Sequence, residues 1–144
     1  MPHHETLSSL WSHSVLKGPD RPFLLWESST GQVTQWSYGE FDSLVGRVAG
    51  TLHAAGVSPQ AGVHLALTNS PAFVAIWLAA IRLGSFIVPC DPNAATPEIA
   101  GQLQRTSSAV GVASARRLDP WPAARRVAAV LARGGRNVQR GLRR

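Results

Sequence analysis

The sequence predicts an α/β fold: a partial, parallel-rich sheet flanked by helices, with an N-terminal β-hairpin and an irregular basic tail. Three observations predict it. From residue 38 onward the patterns alternate as helix, strand, helix, strand, helix, strand, an order that builds a parallel sheet through right-handed crossovers. Upstream, two aromatic and β-branched runs flank a Ser-Thr-Gly turn, the signature of a hairpin. The chain has 144 residues, 44% of them hydrophobic, with a mean hydropathy of zero, as expected of one small globular unit.

Residues 6–16, TLSSLWSHSVL, place Leu7, Leu10, Trp11 and Val15 at helical spacing behind Thr6 as a possible cap. KGPDRP breaks that helix. FLLWES (23–28) and QVTQWS (32–37) are the two hairpin strands. Ser37 and Glu40 then form an S-x-x-E capping box, in which each side chain satisfies a free backbone N–H of the first turn. The helix it opens carries Phe41, Leu44, Val45, Val48, Ala49, Leu52 and Ala55 on one stripe and reaches Gly56, whose tolerance of positive φ suits a helix end.

VHLALT (63–68) is apolar apart from His64, the pattern of a strand covered on both faces. Asn69 or Ser70 caps the next helix, with Pro71 at its first position and Phe73, Val74, Trp77, Ala80 and Ile81 as the expected buried stripe up to Gly84. SFIVP is expected to be a second buried strand. Thr96 and Pro97 open a helix running to about Thr106, and AVGVA (109–113) completes the series. Ligand sites of open sheets lie beyond the carboxyl ends of the strands, so the loops after Thr68 and Pro89 face the edge of interest.

The net charge of +6 is confined to one end. Residues 1–114 hold five Lys/Arg and seven Asp/Glu, whereas residues 115–144 hold nine Arg and one Asp. The chain accordingly divides into a unit at 1–114 and an Arg-rich tail at 115–144, expected to be poorly ordered. The tail could touch phosphates of nucleic acid or lipid, but it has no nucleic-acid-binding motif and one aromatic residue, Trp121. A second reading is favoured: an Arg-, Ala- and Gly-rich, Lys-free ending is what a GC-rich gene yields when read past a frameshift. A single cysteine, Cys90, excludes an internal disulfide, and no Cys/His cluster has zinc-ligand spacing. No apolar run approaches the roughly 20 residues of a membrane span, and no signal-peptide pattern is present. A cytoplasmic protein without a membrane partner is the expectation.

The candidates for chemistry each have a plainer explanation. Glu40 as a general base competes with its capping-box role. Asp91 lies at the ligand-bearing edge, where a loop or cap role is favoured. Cys90 lies there too, without a His or Lys nearby in sequence to activate its thiol. His64 within a strand reads as an interior histidine, and Trp26, Trp36 and Trp77 as core residues, with Trp11 and Trp77 as lesser interface candidates. His3 and His4 read as part of a frayed terminus. No residue is assigned a catalytic, cofactor-binding or metal-binding role.

Several stretches resemble the N-terminal portion of an adenylate-forming acyl-CoA synthetase, the AMP-binding family. RPFLLWESSTGQVTQWSYGEF resembles the family's opening hairpin and "TYxEL" segment. LHAAGVSPQAGVHLALTNSPAFVAIWLAAIRLGSFIVPCDP resembles its "GV..GD.V.l.l.NsPefv" region through the following strand, and EIAGQLQRTSSAV the helix and strand after that. The WESSTG and NSPAFVAIW wording most resembles crotonobetaine/carnitine-CoA ligase-like members. Ala61-Gly62 replaces the Asp of the family's "GDRV", and Cys90 stands where a small or apolar residue is usual.

The resemblance implies that a small carboxylic acid attacks the α-phosphate of ATP, and that the thiol of CoA then displaces AMP, with Mg2+ offsetting phosphate charge. The family's "TSGTTGxPK" loop, "YGxTE" segment, ribose-binding Asp and C-terminal lysine are not in these 144 residues, and the sole lysine is Lys17. Neither G-x-x-x-x-G-K-[ST] nor G-x-G-x-x-G nor G-x-S-x-G occurs. The expectation is a truncated N-terminal subdomain that binds no cofactor by itself and is inactive alone. The alternatives kept open are a non-catalytic binding or regulatory module, and a basic protein that binds nucleic acid through the tail.

Overall fold

In a computed structural model of the chain, the residues described are 6–114. The Arg-rich segment 115–144, like His3 and His4, lies outside the described residues. The order is α1 (Leu7–Lys17), β1 (Pro22–Glu27), β2 (Val33–Ser37), α2 (Tyr38–Ala54), β3 (Gly62–Ala66), α3 (Pro71–Arg82), β4 (Phe86–Pro89), α4 (Thr96–Thr106) and β5 (Val110–Ala113). Every expected element is present.

Local chemistry sets the boundaries. Thr6 caps α1 and shares a capping box with Ser9, which the S/T-x-x-E/Q pattern does not anticipate because a serine replaces the acid. The Ser37–Glu40 box forms as expected: Glu40 N donates to Ser37 Oγ at 3.2 Å and Ser37 N to Glu40 Oε2 at 2.8 Å. Ser70 caps α3 ahead of Pro71. Gly56 ends the α2 region with φ of +94°. In the hairpin, β1 and β2 pair antiparallel with a bulge between Pro22 and Leu24, and Gly31 turns the chain at φ +77°.

The larger sheet has the order β4-β3-β5, all parallel. From β3 the chain steps one way to β4 and then back across to β5. Right-handed crossovers in opposite directions place successive helices on opposite faces, and two core clusters show this. Val63, Leu65, Val110 and Val112 pack with the buried stripe of α2 and with Ala75, Ile76, Ala79 and Ala80 of α3. Ala66 and Ala113, of opposite parity, pack with Ile99 and Leu103 of α4. The α2 stripe is buried as expected, with Ala55 half-buried at its end.

Three expectations need correction. The strand SFIVP is an edge rather than a buried strand: Phe86 is 45% exposed, Pro89 is exposed, and Ile87 and Val88 are half-buried. The α3 stripe is rotated, with Ala75, Ile76, Ala79 and Ala80 at its centre; Phe73, Val74 and Ile81 are half-buried and Trp77 is 43% exposed. PAFVAIWLAAIR is apolar all round, so its spacing gives no unique phase. Finally, Leu7 and Leu10 of α1 are exposed, and the helix is anchored by Trp11 with Val15 at its side.

Candidate functional site

The site-bearing edge is where β3 and β5 end. β3 sends the chain to β4 on one side, while β5 lies on its other side, so the strand order reverses at β3, the place beyond whose carboxyl ends open sheets of this kind bind ligands. The loop from Leu67 to Ser70 leaves the carboxyl end of β3, and the loop after Pro89 leaves that of the neighbouring β4. The sequence placed both loops here.

The polar groups of the first loop are Thr68 and Asn69, both exposed, and Ser70, whose Oγ accepts from Phe73 N at 3.2 Å. In the second loop, Asp91 Oδ1 accepts from Asn93 N at 2.8 Å and Asp91 O from Ala94 N at 3.0 Å, an Asx-turn. Asp91 is therefore a turn former. Cys90 donates its backbone N–H to Leu65 O at 3.0 Å, extending the β3–β4 ladder, and its Sγ lies 3.4 Å from Asp91 O. The cysteine packs partly against the Ala66–Ile99–Leu103 cluster.

The remaining candidates are elsewhere. Glu40 is committed to its capping box at the start of α2. His64 is fully buried in β3, and its Nε2 lies 2.9 Å from Gln102 Oε1 of α4. Desolvation by burial pushes this imidazole below its ordinary value, and the bond to Gln102 opposes that in part. Gln102 is the partner that sequence reasoning missed, because nothing in local spacing links residues 64 and 102. Trp36 is buried as expected, and Trp11 is buried with its Nε1 donating to Asp42 Oδ1 at 2.6 Å. Trp77, expected in the core, is not.

Neither edge loop contains a Lys or Arg. The edge's one carboxylate is engaged in a turn and one of its hydroxyls in a cap. A magnesium–triphosphate group needs cations, backbone N–H cradles and free carboxylates; these loops do not fit it. Among the described residues, no group of three or more His, Cys, Asp or Glu side chains could hold a metal ion. No helix among them is long and apolar enough to cross a membrane. Beyond the turn-forming Asp91, what the edge offers is neutral hydrogen-bonding groups at a sheet end.

The profile of one family, described as AMP-binding enzyme, matches residues 11–140. A crotonobetaine/carnitine–CoA ligase of Salmonella paratyphi A is 29% identical over 111 residues, covering 77% of this chain and 22% of the relative. An acyl-CoA synthetase of Brucella canis superposes with a TM-score of 0.74 at 20% identity, over 83% of this chain and 22% of that one. The N-terminal domain of FACL13 from Mycobacterium tuberculosis gives a TM-score of 0.72 at 24% identity, over 81% of this chain and 29% of that domain. At these identities the two structures establish the fold. The chain spans about a fifth of the length of the curated relative it matches.

Proposed function

Because the chain belongs to the AMP-binding enzyme family, we propose that it contributes the opening framework of an adenylate-forming acyl-CoA synthetase. The parent reaction joins a small carboxylic acid to CoA at the expense of ATP, by way of an acyl-adenylate. In the first step the carboxylate oxygen attacks the α-phosphorus and pyrophosphate leaves; in the second the CoA sulfur attacks the acyl carbon and AMP leaves.

The observation that carries this reading is the combination of the family match over 11–140 with a carboxyl sheet edge free of Lys and Arg in loops 67–70 and 90–95. The doubly wound β4-β3-β5 sheet supports a site, and the groups that handle phosphate are not on the described residues of that edge. On its own, this 144-residue chain performs no adenylation. When ATP and Mg2+ are bound in a synthetase of this family, the metal neutralises phosphate charge; the residues of β3, α3 and β4 hold the sheet end in place.

Two measurements test the proposal. The purified chain, given ATP, magnesium and a panel of small carboxylic acids, is expected to release no pyrophosphate; release above a protein-free control refutes the framework role. A chimera carrying residues 11–113 in place of the matching stretch of the Salmonella ligase is expected to retain acyl-CoA formation. A folded but inactive chimera would show that these residues do not serve as that enzyme's framework.

A further inference from the structure

Asn69 lies exposed in the loop between β3 and α3, directly ahead of Ser70, the cap of α3. Ring closure by an asparagine onto the main chain needs a side-chain amide free to swing back and a backbone nitrogen on the next residue free to attack it. Both conditions hold here. Ser70 commits its hydroxyl to Phe73 N at 3.2 Å and its carbonyl to Val74 N at 3.3 Å, while its own backbone N–H and the Asn69 side chain make no hydrogen bond among the described residues. Ser70 is also unbranched at Cβ, so its side chain leaves the nitrogen approachable.

Asn93, exposed in the loop after β4, is placed differently. The nitrogen that would attack it belongs to Ala94, which is buried and donates to Asp91 O at 3.0 Å. Asn93 N is itself held by Asp91 Oδ1 at 2.8 Å. Ring closure there requires the Asx-turn to open first. The third asparagine, Asn137, lies outside the described residues.

We propose that Asn69 is a site of spontaneous deamidation: its side-chain amide is lost to attack by the Ser70 nitrogen, which leaves a carboxylate at the carboxyl edge of the sheet. Hydroxide removes the Ser70 amide proton, the nitrogen bonds to Asn69 Cγ, and the Cγ–Nδ2 bond breaks with release of ammonia. Water then opens the five-membered imide. Cleavage between the nitrogen and Cγ leaves an aspartate at position 69; cleavage between the nitrogen and the main-chain carbonyl carbon leaves an isoaspartate, which lengthens the backbone by one methylene. Loops 67–70 and 90–95 carry Asp91 as their one charged side chain, so the new carboxylate is a second negative charge on that edge. It stands just ahead of α3, whose positive N-terminal end favours it.

Peptide mapping of the full chain tests this, after incubation at mildly alkaline pH in the folded state and, in parallel, unfolded in guanidinium. In the folded chain Asn69 is expected to convert about fivefold faster than Asn93, because the hydrogen bond of Ala94 N protects the latter; on unfolding the two rates approach each other. A ratio of Asn69 to Asn93 conversion no larger in the folded chain than in the unfolded one overturns the proposal, as does a folded chain that keeps Asn69 intact while the unfolded chain converts it. Ser70→Thr keeps a capping hydroxyl but crowds the nitrogen with a β-methyl group, so it is expected to slow conversion of Asn69 several-fold and leave Asn93 unchanged. An unaltered rate at Asn69 in a folded Ser70→Thr would remove the Ser70 nitrogen as the nucleophile and overturn the proposal. Should Ser70→Thr not fold, the comparison of the parent's folded and unfolded states decides.

Discussion

The indole N–H of Trp11 donates to Asp42 Oδ1 at 2.6 Å, and the same oxygen pairs with the guanidinium of Arg82. One carboxylate therefore ties α1, α2 and α3 together. The ring it fixes stacks edge-on against Phe23 at 4.7 Å and lies 6.4 Å from Phe41, which joins the hairpin to the same cluster.

Asp42→Ala should cost about 2 kcal/mol, because it leaves the buried Trp11 N–H without its acceptor. Arg82→Ala should cost no more than about 1 kcal/mol, since both charged partners are about a third exposed and solvent screens the pair. Urea denaturation of the two variants measures the order. A larger loss from Arg82→Ala than from Asp42→Ala would reverse the assignment.

The second buried tryptophan should behave differently. Trp36 Nε1 is buried without a hydrogen-bond partner among the described residues. Trp36→Phe removes that unpaired donor while opening a small void, so its net change should stay within about 1 kcal/mol. Trp11→Phe also strips Asp42 of a donor and should cost about 1 kcal/mol more. Equal thermal midpoints for the two would refute the difference.

Space is limiting where β3 begins. A Cβ on Gly62 would meet Ser108 Oγ at 3.0 Å and the Phe86 ring at 3.1 Å. Gly62→Ala should destabilise by about 1–3 kcal/mol through overpacking. Combining it with Phe86→Leu should recover part of that loss, because Phe86 lies at an exposed edge and its ring can be shortened. A double-mutant cycle reads the coupling, and strict additivity would exclude the clash as the cause.

Two glycines of one helix region should respond with opposite sign. Gly50 lies within α2, and no neighbouring atom comes within 4 Å of the place a Cβ would take, so Gly50→Ala should stabilise by about 0.5–1 kcal/mol through helix propensity. Gly56 has equally open space but φ of +94°, so Gly56→Ala should destabilise by about 1–2 kcal/mol. Thermal midpoints shifting in the same direction would contradict the backbone argument.

The sequence was informative wherever the cause is local. Ser37 with Glu40 and Ser70 with Pro71 bracket their helices by hydrogen bonds and ring geometry that act within one turn, and both are found as expected. The alternation after residue 38 carried the parallel sheet. Legibility failed where neighbours are distant or the pattern is saturated. Trp77 cannot be placed inside or outside from PAFVAIWLAAIR, since every phase of that helix is apolar. The exposure of Phe86 depends on which strand lies beside β4, and the link from His64 to Gln102 spans residues far apart in the chain. That loops follow β3 and β4 at the carboxyl edge of the sheet was legible, while the Asx-turn that occupies Asp91 shows only in three dimensions.

The placement of β3 between two strands that follow it in sequence governs the order of events during synthesis on a ribosome. α1, the hairpin and α2 involve near neighbours and can settle as they emerge. β3, although made next, gains its first partner only once α3 and β4 have been translated, and its second only after α4 and β5. One flank of its apolar segment stays open after β4 has paired, and is covered only when residues 110–113 leave the exit tunnel. Slow decoding between β3 and β5 therefore lengthens the interval in which the nascent chain is most prone to aggregate.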